Sequence, residues 1–155
     1  MFPLLIVLSV LGLVPYVLCG LAALGSHEAN ADRMLTALIA WSAVVLAFAG
    51  GVHWGVDLRD STTPRALHRL RVILAAFALI VAWIVLMLPS VGPAWLALLV
   101  VIIGYIAALV AEHHAARRDL LPPRYVWLRW GFTVVATAML ITVLTLRLLG
   151  QTISL

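Results

Sequence analysis

The chain contains no lysine, one cysteine and six carboxylates among its 155 residues. A lone Cys19 excludes an intramolecular disulfide and leaves little basis for thiol redox chemistry. Charged residues are scarce as well: 10% of the chain against 65% hydrophobic residues, too little polar surface to cover a water-soluble globule. No nucleophile and base pattern, phosphate-binding glycine loop or dinucleotide fingerprint is present, so no enzyme class gains positive support. The N-terminus lacks a basic lead-in and its first apolar stretch has full spanning length, so a cleaved leader is not expected.

What is present is suited to lipid, with a mean hydropathy of +1.17. A hydrocarbon layer about 30 Å thick needs roughly 20 apolar helical residues per crossing. Five stretches meet that need, at about Phe2 to Leu24, Met34 to Val56, Val72 to Leu88, Ala94 to Ala111 and Trp127 to Leu149. The predicted fold class is therefore all-α: a polytopic membrane helical bundle of five transmembrane helices forming one domain over residues 1–155. Pro15 is expected to kink the first helix, since it removes a backbone donor and crowds the preceding turn. Pro89-Ser90-Val91-Gly92-Pro93 reads as a tight turn, and Pro122-Pro123 as the stop after the fourth helix.

The arginines give an orientation. Arg59, Arg65, Arg69, Arg71, Arg117, Arg118, Arg124 and Arg129 flank the second and fourth connections, while Arg33 and Arg147 lie on the other side. That bias predicts a cytoplasmic N-terminus and an external C-terminus. The formal net charge of +4 is then topological, and nucleic acid is not an expected partner. Trp41, Trp54, Trp95, Trp127, Trp130 and Tyr125 fall near predicted helix ends, as aromatic belts do. An odd number of spans without an internal repeat argues against a simple inverted-repeat transporter.

Along the second helix Ala43, Ala47, Gly51 and Gly55 recur every four residues, a face of almost no side-chain volume. In lipid such stripes let backbones reach van der Waals contact, within a bundle or with a partner. Gly104 and Ala108 continue the spacing on the fourth helix and make it a candidate neighbour. His53 lies near the cytoplasmic end of the second helix, with Asp57 four positions later on the same face, so the two can hydrogen-bond. Glu112, His113 and His114 emerge on the same side, so a polar cluster of His53, Asp57, Glu112 and His113 is predicted at that membrane edge.

For His53 the structural reading is a hydrogen-bonded histidine, and the functional ones are proton transfer and metal or cofactor ligation. His113 and His114 point about 100° apart on a helix and no ligand motif is present, so no metal or cofactor is predicted. For Glu112 the simpler reading is a carboxylate neutralised by Arg117 or Arg129. Arg117, Arg118, Arg124 and Arg129, with Tyr125, Trp127 and Trp130, form a basic and aromatic collar suited to anionic lipid head groups. Thr133, Thr137, Thr142 and Thr145 are expected to bond within their own helix or to a neighbour.

Three stretches together resemble the transmembrane protein 69-like family of small membrane proteins of unknown function. They are Gly12-Leu13-Val14-Pro15-Tyr16, then Phe48-Ala49-Gly50-Gly51-Val52-His53-Trp54-Gly55, then Leu128-Arg129 with Thr133. The resemblance implies a five-span membrane protein and supplies no activity or catalytic residues. The expected function is a non-enzymatic accessory or assembly subunit packing against a larger inner-membrane complex, a respiratory one among the candidates. The alternative expectation is a small transporter or proton-conducting carrier using His53, Asp57 and Glu112.

Overall fold

The computed structural model describes residues 2–25, 27–59, 65–117 and 123–150. Among the described residues there are five helices: α1 (Phe2–Ala22), α2 (Glu28–Arg59), α3 (Arg65–Val91), α4 (Ala94–Ala116) and α5 (Pro123–Leu148). Each contains a segment long and apolar enough to cross a membrane. The helices overrun the apolar stretches because a helix satisfies its own backbone hydrogen bonds and can continue through the polar interface. Thus α2 begins at Glu28, a turn and a half before Met34, and α5 begins at Pro123, where a missing N–H costs a helix nothing.

Pro89 is a second departure from expectation. It lies inside α3, which continues to Val91, and the turn forms at Gly92, whose N–H reaches the Leu88 carbonyl at 2.8 Å. A proline so near a helix end interrupts few bonds, and the Ser90 hydroxyl donates to the Met87 carbonyl at 2.6 Å. Pro15 likewise sits within a continuous α1.

α2 and α4 pack on each other at the middle of the bundle. α3 packs against both on one side; α1 packs on α2 and α5 packs on α4 on the other, and α1 and α5 close that side against each other. The core at these contacts includes Tyr16, Leu38, Leu46, Val85, Leu98, Val101, Leu140 and Val143. Lipid tails are as apolar as these side chains, so van der Waals fit and buried hydrogen bonds, more than exclusion of water, hold the helices together.

Glycine sets two of the approaches. A Cβ on Gly50 would stand 2.9 Å from the Ala75 carbonyl oxygen of α3, and one on Gly104 would stand 2.8 Å from a Leu46 methyl of α2. Gly104 therefore lies against Leu46 of α2, while Ala108 is half-buried against the core. The α2 stripe divides. Ala43 is buried and Ala47 is packed on the core, but among the described residues no atom lies within 4 Å of a Cβ built at Gly51 or Gly55. The in-chain contact is carried by Gly50, because α3 lies against the Leu46, Ala49 and Gly50 side of α2 rather than the four-residue stripe.

Polar contacts pin the helices at the same level. Trp41 Nε1 donates to the Gly12 carbonyl of α1 at 3.0 Å. Trp41 is therefore a half-buried tie in mid-helix and not a belt residue, a consequence of α2 starting earlier than its hydropathy suggests. The Tyr105 hydroxyl donates to the Ser42 carbonyl at 2.9 Å, and the hydroxyls of Tyr16 and Tyr105 are hydrogen-bonded to each other.

Candidate polar site at one membrane edge

The apolar part of α2 ends near Gly55 and that of α4 near Ala116, while those of α3 and α5 begin near Arg71 and Arg124. These four ends therefore meet at one edge of the bundle, where the buried polar side chains collect. Glu112 is 1% exposed, Thr133 3%, Arg71 5% and His53 7%.

Glu112 is the centre of the best-defined part. Arg129 Nε donates to both of its carboxylate oxygens, each at 3.2 Å, and the Tyr125 hydroxyl donates to Oε1 at 3.5 Å. Tyr125 and Arg129 stand four apart on α5, so one helix face presents both to α4. The Arg129 guanidinium also lies 5.8 Å from the centre of the Phe132 ring, and Phe132 meets Tyr16 edge-on at 5.9 Å. A continuous chain of contacts thus runs from the membrane edge to the tyrosine pair in the core. Such a pair inside a bundle is an ordering device: it fixes the rotation of α5 against α4.

The predicted cluster is brought together in part. Glu112 takes Arg129 as its partner, the simpler of the two expectations, and no hydrogen bond or ion pair joins it to His53. Among the described residues the His53 ring has no hydrogen-bond partner, and Arg71 and Arg129 are the charges within electrostatic range of it. The expected pairing of His53 with Asp57 lies outside the described residues, because the Asp57 side chain is not among them. His113 turns outward, exposed, with its ring 6.1 Å from Trp130, since it lies about 100° around α4 from Glu112. His114 is exposed too and bonds back to the Val110 carbonyl at 2.9 Å. Among the described residues no group of three or more His, Cys, Asp or Glu side chains is placed to hold a metal ion.

In the basic collar, Arg117 and Arg124 are exposed, as are Trp127, at 80%, and Trp130. Arg129 points inward to Glu112 instead, and Arg118 lies outside the described residues. On α5, Thr142 and Thr145 bond back to the carbonyls of Ala138 and Ile141 at 2.9 Å, whereas the buried Thr133 and Thr137 hydroxyls have no partner among the described residues. At the opposite end Arg147 reaches Asp32 at 2.7 Å and the Ala23 carbonyl at 3.1 Å, joining α5 to α2 and to the end of α1.

Sequence reasoning assigned Arg71 to the orienting arginines and Tyr125 to the interfacial aromatics, not to this buried edge, and it missed the hydrogen-bonded group of Tyr16, Ser42 and Tyr105. For Tyr125 the signal was available: Tyr125, Arg129, Phe132 and Thr133 share one helical face at the start of an apolar stretch. No curated protein and no solved structure matches the chain. The family described as Protein of unknown function (DUF3429) matches residues 1–145, and the chain belongs to that family.

Proposed function

We propose that the chain is a non-enzymatic integral membrane protein, an accessory or assembly subunit that docks against a larger inner-membrane complex, a respiratory complex being one candidate. The observation that supports this is the open glycine face of α2. Gly51 and Gly55 lie one turn apart with nothing within 4 Å of a Cβ at either among the described residues, beside Phe48 at 73% exposure and Trp54 at 43%. Water does not drive helices together in lipid, so a surface of this kind gains contact energy when a second helix comes close to its backbone. Anionic lipid head groups complete the partner set through exposed Arg117 and Trp127. The reading places the protein in the bacterial inner membrane, with the arginine-rich edge and the N-terminus cytoplasmic and the C-terminus outside. It also carries the closer family naming, transmembrane protein 69-like, that the three sequence stretches suggest.

The test is a photo-crosslinking residue placed at Gly55 and, as a control, at lipid-exposed Leu18 of α1, irradiated in native membranes. The expected result is one adduct of fixed size from position 55, absent from position 18 and lost when Gly51→Leu is added. Equal, diffuse labelling from both positions, with a lone monomer in mild detergent, ends the proposal.

A second reading is a small transporter or proton-conducting carrier. Buried His53, Arg71 and Glu112 at one edge favour it, since ionisable groups inside a bundle are costly and often line ion pathways. Identical proton flux through liposomes carrying the wild type or His53→Ala removes it.

A further inference from the structure

The helices α2, α3 and α4 do not close on one another completely. A cleft of about 140 Å³ remains between them, of the order that admits a benzene ring inside a protein core. Its walls are small: Ala49 and Gly50 from α2, Ala78 from α3, and Gly104, Ala108 and Ala111 from α4. From Leu46 to His53 and from Gly104 to Ala111 it follows seven residues of helix, roughly 10 Å at 1.5 Å per residue. The space is a slot along the helix axes, and exposed Phe77 and Ala107 stand on its lipid side.

His53 is the polar side chain of that lining, and it stands at the membrane-edge end. It is 7% exposed and, among the described residues, without a hydrogen-bond partner. Its ring nitrogens keep some accessible surface, so an acceptor that reaches the ring can take a hydrogen bond from it. The slot thus has the polarity of an amphiphile: one hydrogen-bonding end at the interface and an apolar length running toward the bilayer centre. A linear chain can follow the whole length of such a slot.

We propose that this cleft binds one fatty acyl chain, with a carboxylate or ester oxygen of its head accepting a hydrogen bond from the His53 ring and its methylenes lying against the alanine and glycine walls. A free fatty acid and the acyl ester of a phospholipid share that chemistry. The site is independent of the partner-docking face, because Gly51 and Gly55 do not line the cleft.

The experiment uses the full chain in liposomes with two probes: a diazirine-bearing palmitic acid, and a phosphatidylglycerol carrying the same diazirine chain. Adducts are mapped by peptide mass spectrometry, with lipid-exposed α1 as the internal measure of ordinary contact with bulk lipid. Saturable labelling of the walls of α2, α3 and α4 is expected from at least one probe, displaced by its unlabelled counterpart, while α1 labelling rises in proportion to probe. The probe that saturates identifies the source. His53→Leu is expected to raise the half-saturating concentration roughly 2- to 12-fold, the worth of one hydrogen bond, and His53→Gln to restore much of it. Ala107→Phe and Ala111→Phe, which fill the slot from its rim, are expected to abolish saturable labelling while the melting temperature holds. Cleft labelling that tracks α1 for both probes overturns the proposal, as does saturable labelling indifferent to both the leucine and the phenylalanine variants.

Discussion

Replacing Glu112 by leucine is the most informative perturbation of the polar edge. Its carboxylate receives Arg129 Nε at 3.2 Å on each oxygen, and the two side chains keep 2% and 11% of their exposure. At an effective dielectric near 20, unit charges about 4 Å apart attract by roughly 4 kcal/mol, and much of that offsets the cost of taking both out of water. Removing one partner forfeits the attraction and leaves the other charge stranded, at about 3–5 kcal/mol, while removing both is close to neutral. Glu112→Leu and Arg129→Leu are each expected to destabilise by about 3 kcal/mol, and the double variant by about 1 kcal/mol or less. At roughly 2–4 °C per kcal/mol for a chain of this size, each single variant lowers Tm by about 6–12 °C and the double variant recovers most of it. Tryptophan fluorescence melts in one detergent, run as a double-mutant cycle, read this directly. A coupling energy below about 1 kcal/mol, typical of exposed pairs, refutes the claim that the pair is shielded within the bundle.

The glycines separate in-chain packing from the open face. Gly50→Ala forces a Cβ against the Ala75 carbonyl and is expected to cost about 1–3 kcal/mol, whereas Gly51→Ala meets nothing and is expected to stabilise by up to about 1 kcal/mol through helix propensity; thermal melts of the two decide it. The hydroxyl chain is directional. Tyr16→Phe leaves Tyr105 donating to the Ser42 carbonyl and should cost about 1 kcal/mol, but Tyr105→Phe strands the fully buried Tyr16 hydroxyl and should cost about 1–3 kcal/mol; equal losses contradict that order. Topology is read by a membrane-impermeant thiol reagent on a Cys19→Ser background: Ser90→Cys is expected to label from outside intact cells and Arg117→Cys after the inner face is opened, and the reverse pattern inverts the orientation.

The number of helices was legible because a bilayer imposes a length on every crossing and the apolar stretches meet it. Helix rotation was not. A helix that is hydrophobic all round carries no moment that says which side faces protein, and α2 illustrates the result. Its four-residue stripe from Ala43 to Gly55 is regular in the sequence, yet the α3 contact uses Gly50, one residue off that stripe, and Gly51 and Gly55 are left open. The polar site was legible to the extent that it depended on helix ends. Glu112 needed a cation, and Arg129 was one of two within reach; choosing it over Arg117 required knowing that α5 packs on α4.

Rotation in this bundle is settled by hydrogen bonds that hydropathy does not register. Trp41 to the Gly12 carbonyl sets α2 against α1, Tyr105 to the Ser42 carbonyl sets α4 against α2, and Arg129 to Glu112 sets α5 against α4. Arg147 closes the circuit at the other end, reaching both α1 and α2. The first three are shielded or partly shielded inside the bundle, so a wrong rotation leaves a donor there without its partner, whereas the Arg147–Asp32 pair is exposed. His53 stands outside this circuit. Arg129, Trp41 and Tyr105 find partners inside the bundle, whereas the His53 ring lines the 140 Å³ cleft with no hydrogen-bond partner among the described residues, which is why the acyl-head proposal is tested at that side chain.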